Sequence, residues 1–235
     1  MYMQNQKAAY RLYLYLSALF ITSLVVSNLI FQKFFYWYPF GEINIFGARI
    51  FEISVGILPY PVTFLITDLI SEIFGKKKAN QVVTAGIFAS LFSLLIIYVS
   101  VAAPATDWSP IGDEIFRDVF GRTILAVMAS MLAYLAAQYV DIHIYHFWKG
   151  FTNGRHLWLR NNCSTICSQI IDTMTVLLLL CSFDVIAWER FSGLLVGGVL
   201  FKMMIALLDT PFLYFFVYII RRWFGLGEGE EIRLP

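Results

Sequence analysis

NCSTICSQIIDTMTVLLLLCSF, residues 162–183, is a helix-length apolar segment interrupted by one carboxylate, Asp172. Thr165, Ser168, Gln169 and Asp172 fall at i, i+3, i+4 and i+7, which is one face of an α-helix. Burying a charge in a bilayer costs from about 2.5 kcal/mol on insertion scales to about 10 or more on an isolated helix, so an acid there marks a functional position by default. The preceding apolar segment repeats the pattern. QYVD at 138–141 matches QIID at 169–172, each a Gln followed three residues later by an Asp. Two such tetrads predict a polar pocket between helices.

The rest of the chain has the composition of an integral membrane protein. Of 235 residues, 59% are hydrophobic and 14% charged, and mean hydropathy is +0.70. Soluble domains run about 45–50% apolar and about 25% charged. Aromatics reach 17%, which suits two water–lipid interfaces. The net charge of +1 makes no electrostatic case for nucleic acid. Cys163, Cys167 and Cys181 have no CxxC spacing and no fourth ligand, and read as packing residues.

At about 20 residues per crossing, the apolar runs predict six spans, near 12–31, 52–74, 81–103, 123–145, 162–183 and 192–220. The first run follows Lys7 and Arg11, is longer than a signal-peptide core and lacks a small-x-small site, so it reads as a retained span. The expected fold is an all-α membrane protein, a compact six-helix bundle forming one domain over 1–225. A disordered Gly- and Glu-rich tail would follow at 226–235. The aromatic stretch 32–51 is too short and interrupted to span, and predicts an external hairpin or re-entrant cap between the first two helices. Lys7, Arg11, Lys76, Lys77, Lys78, Lys149, Arg155, Arg160, Arg221, Arg222 and Arg233 would share one side. Only Lys33, Arg49, Arg117, Arg122 and Arg190 fall on the other. Both termini are therefore expected in the cytoplasm.

Polar stripes recur on the other spans. Ser130, Tyr134, Gln138, Asp141 and Tyr145 line one face of the fourth; Phe64, Asp68, Ser71 and Glu72 line the second; Lys202 and Asp209 lie two turns apart on the sixth. The first carries Ser17, Ile21, Leu24 and Asn28. In the third, Gly86 and Ser90 form a small-xxx-small pair suited to helix packing. Asp141 and Glu72 lie near span ends, where headgroup water could reach them, and a buried Lys202 could be a purely structural partner of an acid. Several such groups on four helices favour a shared central site. No phosphate loop, HEXXH or GxSxG occurs, and His143, His146 and His156 belong to a wet interfacial region. Neither a metal, a cofactor nor an enzymatic activity is expected.

Five stretches carry a family resemblance: YPVTFLITDLISEIFGKKKANQVV at 60–83, AYLAAQYVDIHIYHFWK at 133–149, LWLRNNCSTICSQIIDT at 157–173, SNLIFQK at 27–33 and KMMIALLDTPFLY at 202–214. Together they resemble the bacterial queuosine precursor transporters, also called VUT, the vitamin uptake transporters. The aromatic stretch before Gly41 departs from that pattern. The resemblance implies a multi-pass carrier of the bacterial inner membrane that imports 7-deazaguanines, 7-cyano-7-deazaguanine or its aminomethyl relative, for tRNA modification. Its only partners would be this small molecule and membrane lipid, with homo-oligomers left open.

The residues fit such cargo on their own terms. A deazaguanine edge presents N1–H and an exocyclic amine, two donors that one carboxylate accepts together, while an amide pairs with O6 and an aromatic face stacks the ring. Asn28, Asp68, Glu72, Gln138, Asp141, Asn162, Gln169, Asp172 and Lys202 are the candidate binding residues, and Arg160 and Asp209 the candidate gate or coupling residues. Arg160 would pair with Asp141 or Glu72. Two other readings stand beside this one: a substrate-binding subunit of an energised uptake complex, and a non-transporting scaffold whose polar stripes are helix–helix glue.

Overall fold

A computed structural model of the chain describes residues 2–31, 33–36, 41, 44–45, 48–49, 52–121, 124–153, 155–183 and 186–234. Helices dominate: α1 (Tyr2–Ile30), α2 (Tyr60–Ile73), α3 (Lys76–Ala102), the one-turn α4 (Asp113–Phe116), α5 (Ile124–Phe151), α6 (Leu157–Ser182) and α7 (Phe191–Phe224). Five helical stretches among the described residues are long and apolar enough to cross a membrane: Gln6–Ile30, Val55–Ile73, Lys76–Ala102, Leu157–Ser182 and Trp188–Phe224. The 28-residue α5 lies along α6, and α6 along α7.

The second span begins later than the hydropathy implies. Glu52 is not in a helix but in strand β4 (Glu52–Ser54), and a 3-10 turn at Val55–Ile57 precedes α2. Pro59 and Pro61 fix that boundary, because proline lacks an N–H and clashes with the preceding turn except in the first helical turn. α2 is therefore 14 residues, about 21 Å, against a hydrocarbon core of about 30 Å. It is also the most enclosed of these five stretches: 61% of its apolar window is buried, against 17–22% for α1, α3 and α7. The short central helix carries the polar residues, and the long outer ones carry exposed Leu, Ile and Phe.

At the other end α2 turns directly into α3 through Gly75, whose φ of +84° is open to glycine and strained for other residues. Strand β1 (Phe34–Tyr36) pairs antiparallel with β4 in the register Phe35↔Ile53, and β2 (Asn44–Ile45) pairs with β3 (Ala48–Arg49). Phe35, Ile53 and Ile57 pack against Phe201, Met204 and Ile205 of α7. Much of the expected cap (32, 37–40, 42–43, 46–47 and 50–51) lies outside the described residues, as do the side chain of Ser130 and residue 123.

The remaining boundaries shift outward. α6 starts at Leu157, which takes Arg160 from the connection into the first helical turn, and α7 runs on to Phe224, which does the same for Arg221. The tail, read from the sequence as disordered, has no helix or strand but is fastened to the bundle. Ile232 N donates to Ile73 O at 2.7 Å, Glu231 pairs with Lys149 at 2.8 Å, and Ile232 and Leu234 pack against the core. Apolar residues and carbonyl partners at the helix ends outweigh the Gly- and Glu-rich composition.

Candidate functional site

α2 and α6 run antiparallel, and the polar residues on their facing sides meet at both ends of a common stretch. At one end the Tyr60 hydroxyl donates to Asp172 Oδ2 at 3.3 Å; at the other, Arg160 Nη2 lies 2.6 Å from Glu72 Oε1. Tyr60 to Glu72 and Arg160 to Asp172 each span twelve residues, about 18 Å of helix. The sequence stripes thus form one polar column between α2, α5, α6 and α7.

The column has three levels. Nearest the strands, Lys202 Nζ binds Asp172 Oδ2 at 2.5 Å and Thr173 Oγ1 at 3.0 Å, and lies 4.9 Å from the Tyr60 ring centre. Tyr134 packs edge-on to Tyr60 and Phe64 and accepts a 2.5 Å bond from Gln138 Nε2. A cavity of about 20 Å³, room for roughly one water, is lined here by Tyr60, Phe64, Gln169, Lys202, Asp209 and Thr165 among others. The middle level is acidic. Asp68 and Asp141 face one another, fully enclosed, and Ser168 Oγ donates to Asp141 Oδ1 at 3.1 Å.

The third level centres on Glu72, 1% exposed. Arg160 and Arg221 reach its Oε1 at 2.6 and 2.5 Å, Tyr145 OH donates to Oε2 at 3.1 Å, and Lys149 stands 3.8 Å away. The Arg160 guanidinium also lies over the Tyr145 ring, 5.5 Å from its centre. Glu72 and Asp141, near span ends in the sequence, are each 1% exposed.

Most predicted residues therefore converge: Asp68, Glu72, Gln138, Asp141, Gln169, Asp172, Lys202, Arg160 and Asp209 line the column. Of the two partners expected for Arg160, the structure selects Glu72. The tetrads sit at different levels, since Asp141 meets Ser168 one turn from Asp172. Two residues fall outside. Asn162 turns to α7, donating to Thr210 Oγ1 at 3.1 Å and to Trp158 O at 2.7 Å. Asn28 sits half-buried near the end of α1. Tyr60 and Arg221 were not singled out by the sequence. An aromatic beside two prolines in an aromatic-rich chain gives little signal, and Arg221 reads as an interfacial anchor. No group of His, Cys, Asp and Glu among the described residues is arranged to hold a metal.

Buried polar atoms are rarely left without a partner, so those that are need a reason. Among the described residues, five such acceptors lie in the column: Asp68 Oδ1, Asp141 Oδ2, Asp172 Oδ1, Gln138 Oε1 and Gln169 Oε1. These five acceptor oxygens belong to residues of α2, α5 and α6 that line the column.

Residues 54–216, more than two thirds of the chain, match the family described as "Putative vitamin uptake transporter". The chain belongs to this family. Among curated proteins, the chain is 27% identical over 164 residues to the "Probable queuosine precursor transporter" of Bacillus subtilis (strain 168), covering 68% of this chain and 70% of that one. No solved structure matches. The matched region runs from Ser54 to Phe216 and contains all three levels of the column except Arg221. As a member of a transporter family with several apolar membrane-length helices, it is a multi-pass membrane protein.

Proposed function

We propose that the protein imports queuosine precursors, 7-cyano-7-deazaguanine or its aminomethyl relative, through the polar column by alternating access. It would do so as a six-span inner-membrane bundle with both termini in the cytoplasm. The observation that carries this reading is the surplus of unpartnered acceptors at Asp68, Asp141, Asp172, Gln138 and Gln169. A 7-deazaguanine offers N1–H, the exocyclic amine and a ring N–H, and the aminomethyl form adds a cation. Each donor relieves a buried acceptor whose desolvation is otherwise uncompensated, at about 1–3 kcal/mol apiece. Tyr60, Phe64 and Tyr134 supply ring faces beside these acceptors. The B. subtilis relative's description supports the same cargo.

Both ends of the column are closed by ion pairs, and the cavity of about 20 Å³ is far smaller than a bicyclic base. Loading requires α7 to part from α2 and α6, which separates Lys202 from Asp172. Release on the cytoplasmic side requires Glu72 to give up Arg160 and Arg221. Substrate donors replacing the Lys202 ammonium on Asp172 would drive the first step.

The test is complementation. A strain unable to make queuosine precursors is supplied with trace 7-deazaguanine, with and without this chain, and queuosine in tRNA is measured. Restoration with the intact chain and its loss with Asp172→Asn, at equal membrane abundance, is the expected result. Absence of queuosine despite good expression overturns the substrate assignment. Recovery only in company of a co-purifying ATPase would identify a binding subunit instead.

A further inference from the structure

A second cavity, of about 640 Å³, opens between the start of α6 and the end of α7, beyond Glu72 from the acidic level. Its floor is the Glu72 cluster, with Arg160 and Arg221. Its rim carries two further arginines, Arg155 and Arg222, both exposed, and one acid, Glu228. The lining thus holds four guanidinium groups against two carboxylates. Glu72 engages the two on the floor; the two at the rim face solvent, Arg222 with one bond to the Tyr218 hydroxyl at 3.1 Å.

Two other features fix what surrounds this cavity. Trp158, Tyr218 and Trp223, on the same helix ends, are 52%, 61% and 65% exposed. Exposed Trp and Tyr at the end of a spanning helix lie at headgroup level. The cavity wall between rim and floor is also apolar, with Leu157 and Val217. Basic at the headgroup plane, apolar just inside it, and sized within the usual range of ligand pockets, it matches neither bulk water nor a purine.

We propose that this cavity binds the phosphate of an anionic phospholipid, with Arg155 and Arg222 gripping the phosphate and Leu157 and Val217 receiving the first acyl carbons. Basic pockets between spanning helices on the cytoplasmic side take such headgroups, and the planar guanidinium forks suit phosphate oxygens. A free phosphate shares the arginine chemistry but leaves the apolar wall uncovered. The rim arginines lie on the far side of the Glu72 cluster from the acidic level, and the site stands whether or not the cargo is a deazaguanine.

The experiment uses the full-length protein in neutral detergent, titrated with phosphatidylglycerol, phosphatidylcholine or inorganic phosphate alone, and read by native mass spectrometry and by melting temperature. Phosphatidylglycerol should bind about tenfold or more tightly than phosphatidylcholine and raise the melting temperature. Arg155→Gln with Arg222→Gln should abolish that preference while leaving the lipid-free melting temperature unchanged, since both side chains are exposed. The single variants should each remove part of it, and Arg117→Gln, on the opposite side, none. Equal binding of the two lipids, or a preference that survives in the double variant, overturns the proposal. An identical shift with inorganic phosphate overturns the lipid assignment in favour of a soluble anion.

Discussion

Replacing Glu72 by Gln tests the architecture of the column at its most constrained point. Gln keeps the shape and still accepts the hydrogen bond from Tyr145, so the change isolates charge. Arg160 is 1% exposed and loses its ion-pair partner. Removing one member of a buried pair costs about 3–5 kcal/mol, because the remaining charge stays desolvated. The lower end applies here, for Arg221 and Lys149, 13% and 10% exposed, can turn toward water. At about 2–4 °C per kcal/mol for a chain of this size, a loss of about 3 kcal/mol lowers the melting temperature by about 6–12 °C. The assay is tryptophan fluorescence on protein purified in detergent. Adding Arg160→Gln to Glu72→Gln removes the stranded cation and should recover at least half of the loss. A single variant within about 1 kcal/mol of the parent, or a double variant less stable than the single, refutes the idea that Glu72 is the counter-charge of Arg160.

Four further outcomes follow from the same geometry. Asp172→Asn should abolish uptake while the protein remains monodisperse on gel filtration, because Lys202 is 11% exposed and borders the cavity; collapse of the bundle would favour the scaffold reading. Tyr145→Phe should cost about 1–2 kcal/mol in melting measurements through the lost bond to Glu72, and no change would remove that bond from the account. Glu231→Gln, breaking a pair with a 40% exposed side chain, should stay within about 1 kcal/mol, whereas Ile232→Asp should destabilise clearly; the reverse order would mean that charge and not packing fastens the tail. With Cys163, Cys167 and Cys181 replaced, a cysteine at Gln169 should react slowly with a polar thiol reagent from outside, faster in Asp172→Asn and no faster in Glu72→Gln.

Polar stripes were readable because an apolar background leaves few polar residues, and their 3.6-residue spacing names a face directly. The spacing does not name the neighbour. Gln169 and Asn162 are both buried amides on α6, yet one lines the column and the other fastens α6 to Thr210 of α7. Hydropathy also treats basic residues as the ends of spans, which placed Arg160 in a connection, although it was a gate candidate, and hid Arg221. Both meet one carboxylate on α2, and Arg221 is 149 positions from Glu72, beyond any local pattern. The start of α2 was misread for the opposite reason. The apolar content from Ile53 onward continues the hydrophobic run, and backbone chemistry at Pro59 and Pro61, not side-chain polarity, ends it.

The two closures of the column are not equivalent, and their difference sets the order in which they open. At the strand end one carboxylate meets one ammonium that is partly exposed, and Lys is a flexible, strongly hydrated cation that water readily takes back. At the tail end Glu72 holds two guanidinium groups, with a third cation and a phenol beside it, and Arg160 is enclosed by the Tyr145 ring. Guanidinium forks bind carboxylate in fixed geometry, and Arg160 is only 1% exposed. Opening at Asp172 should therefore cost less than opening at Glu72, so under the proposed alternating access the unloaded protein would admit a solute from the strand end. The tail end, by contrast, opens only when something else compensates Arg160. Asp68 and Asp141, one turn deeper in the column, are the nearest other carboxylates to that closure, and under the proposed alternating access they would be its competing partners.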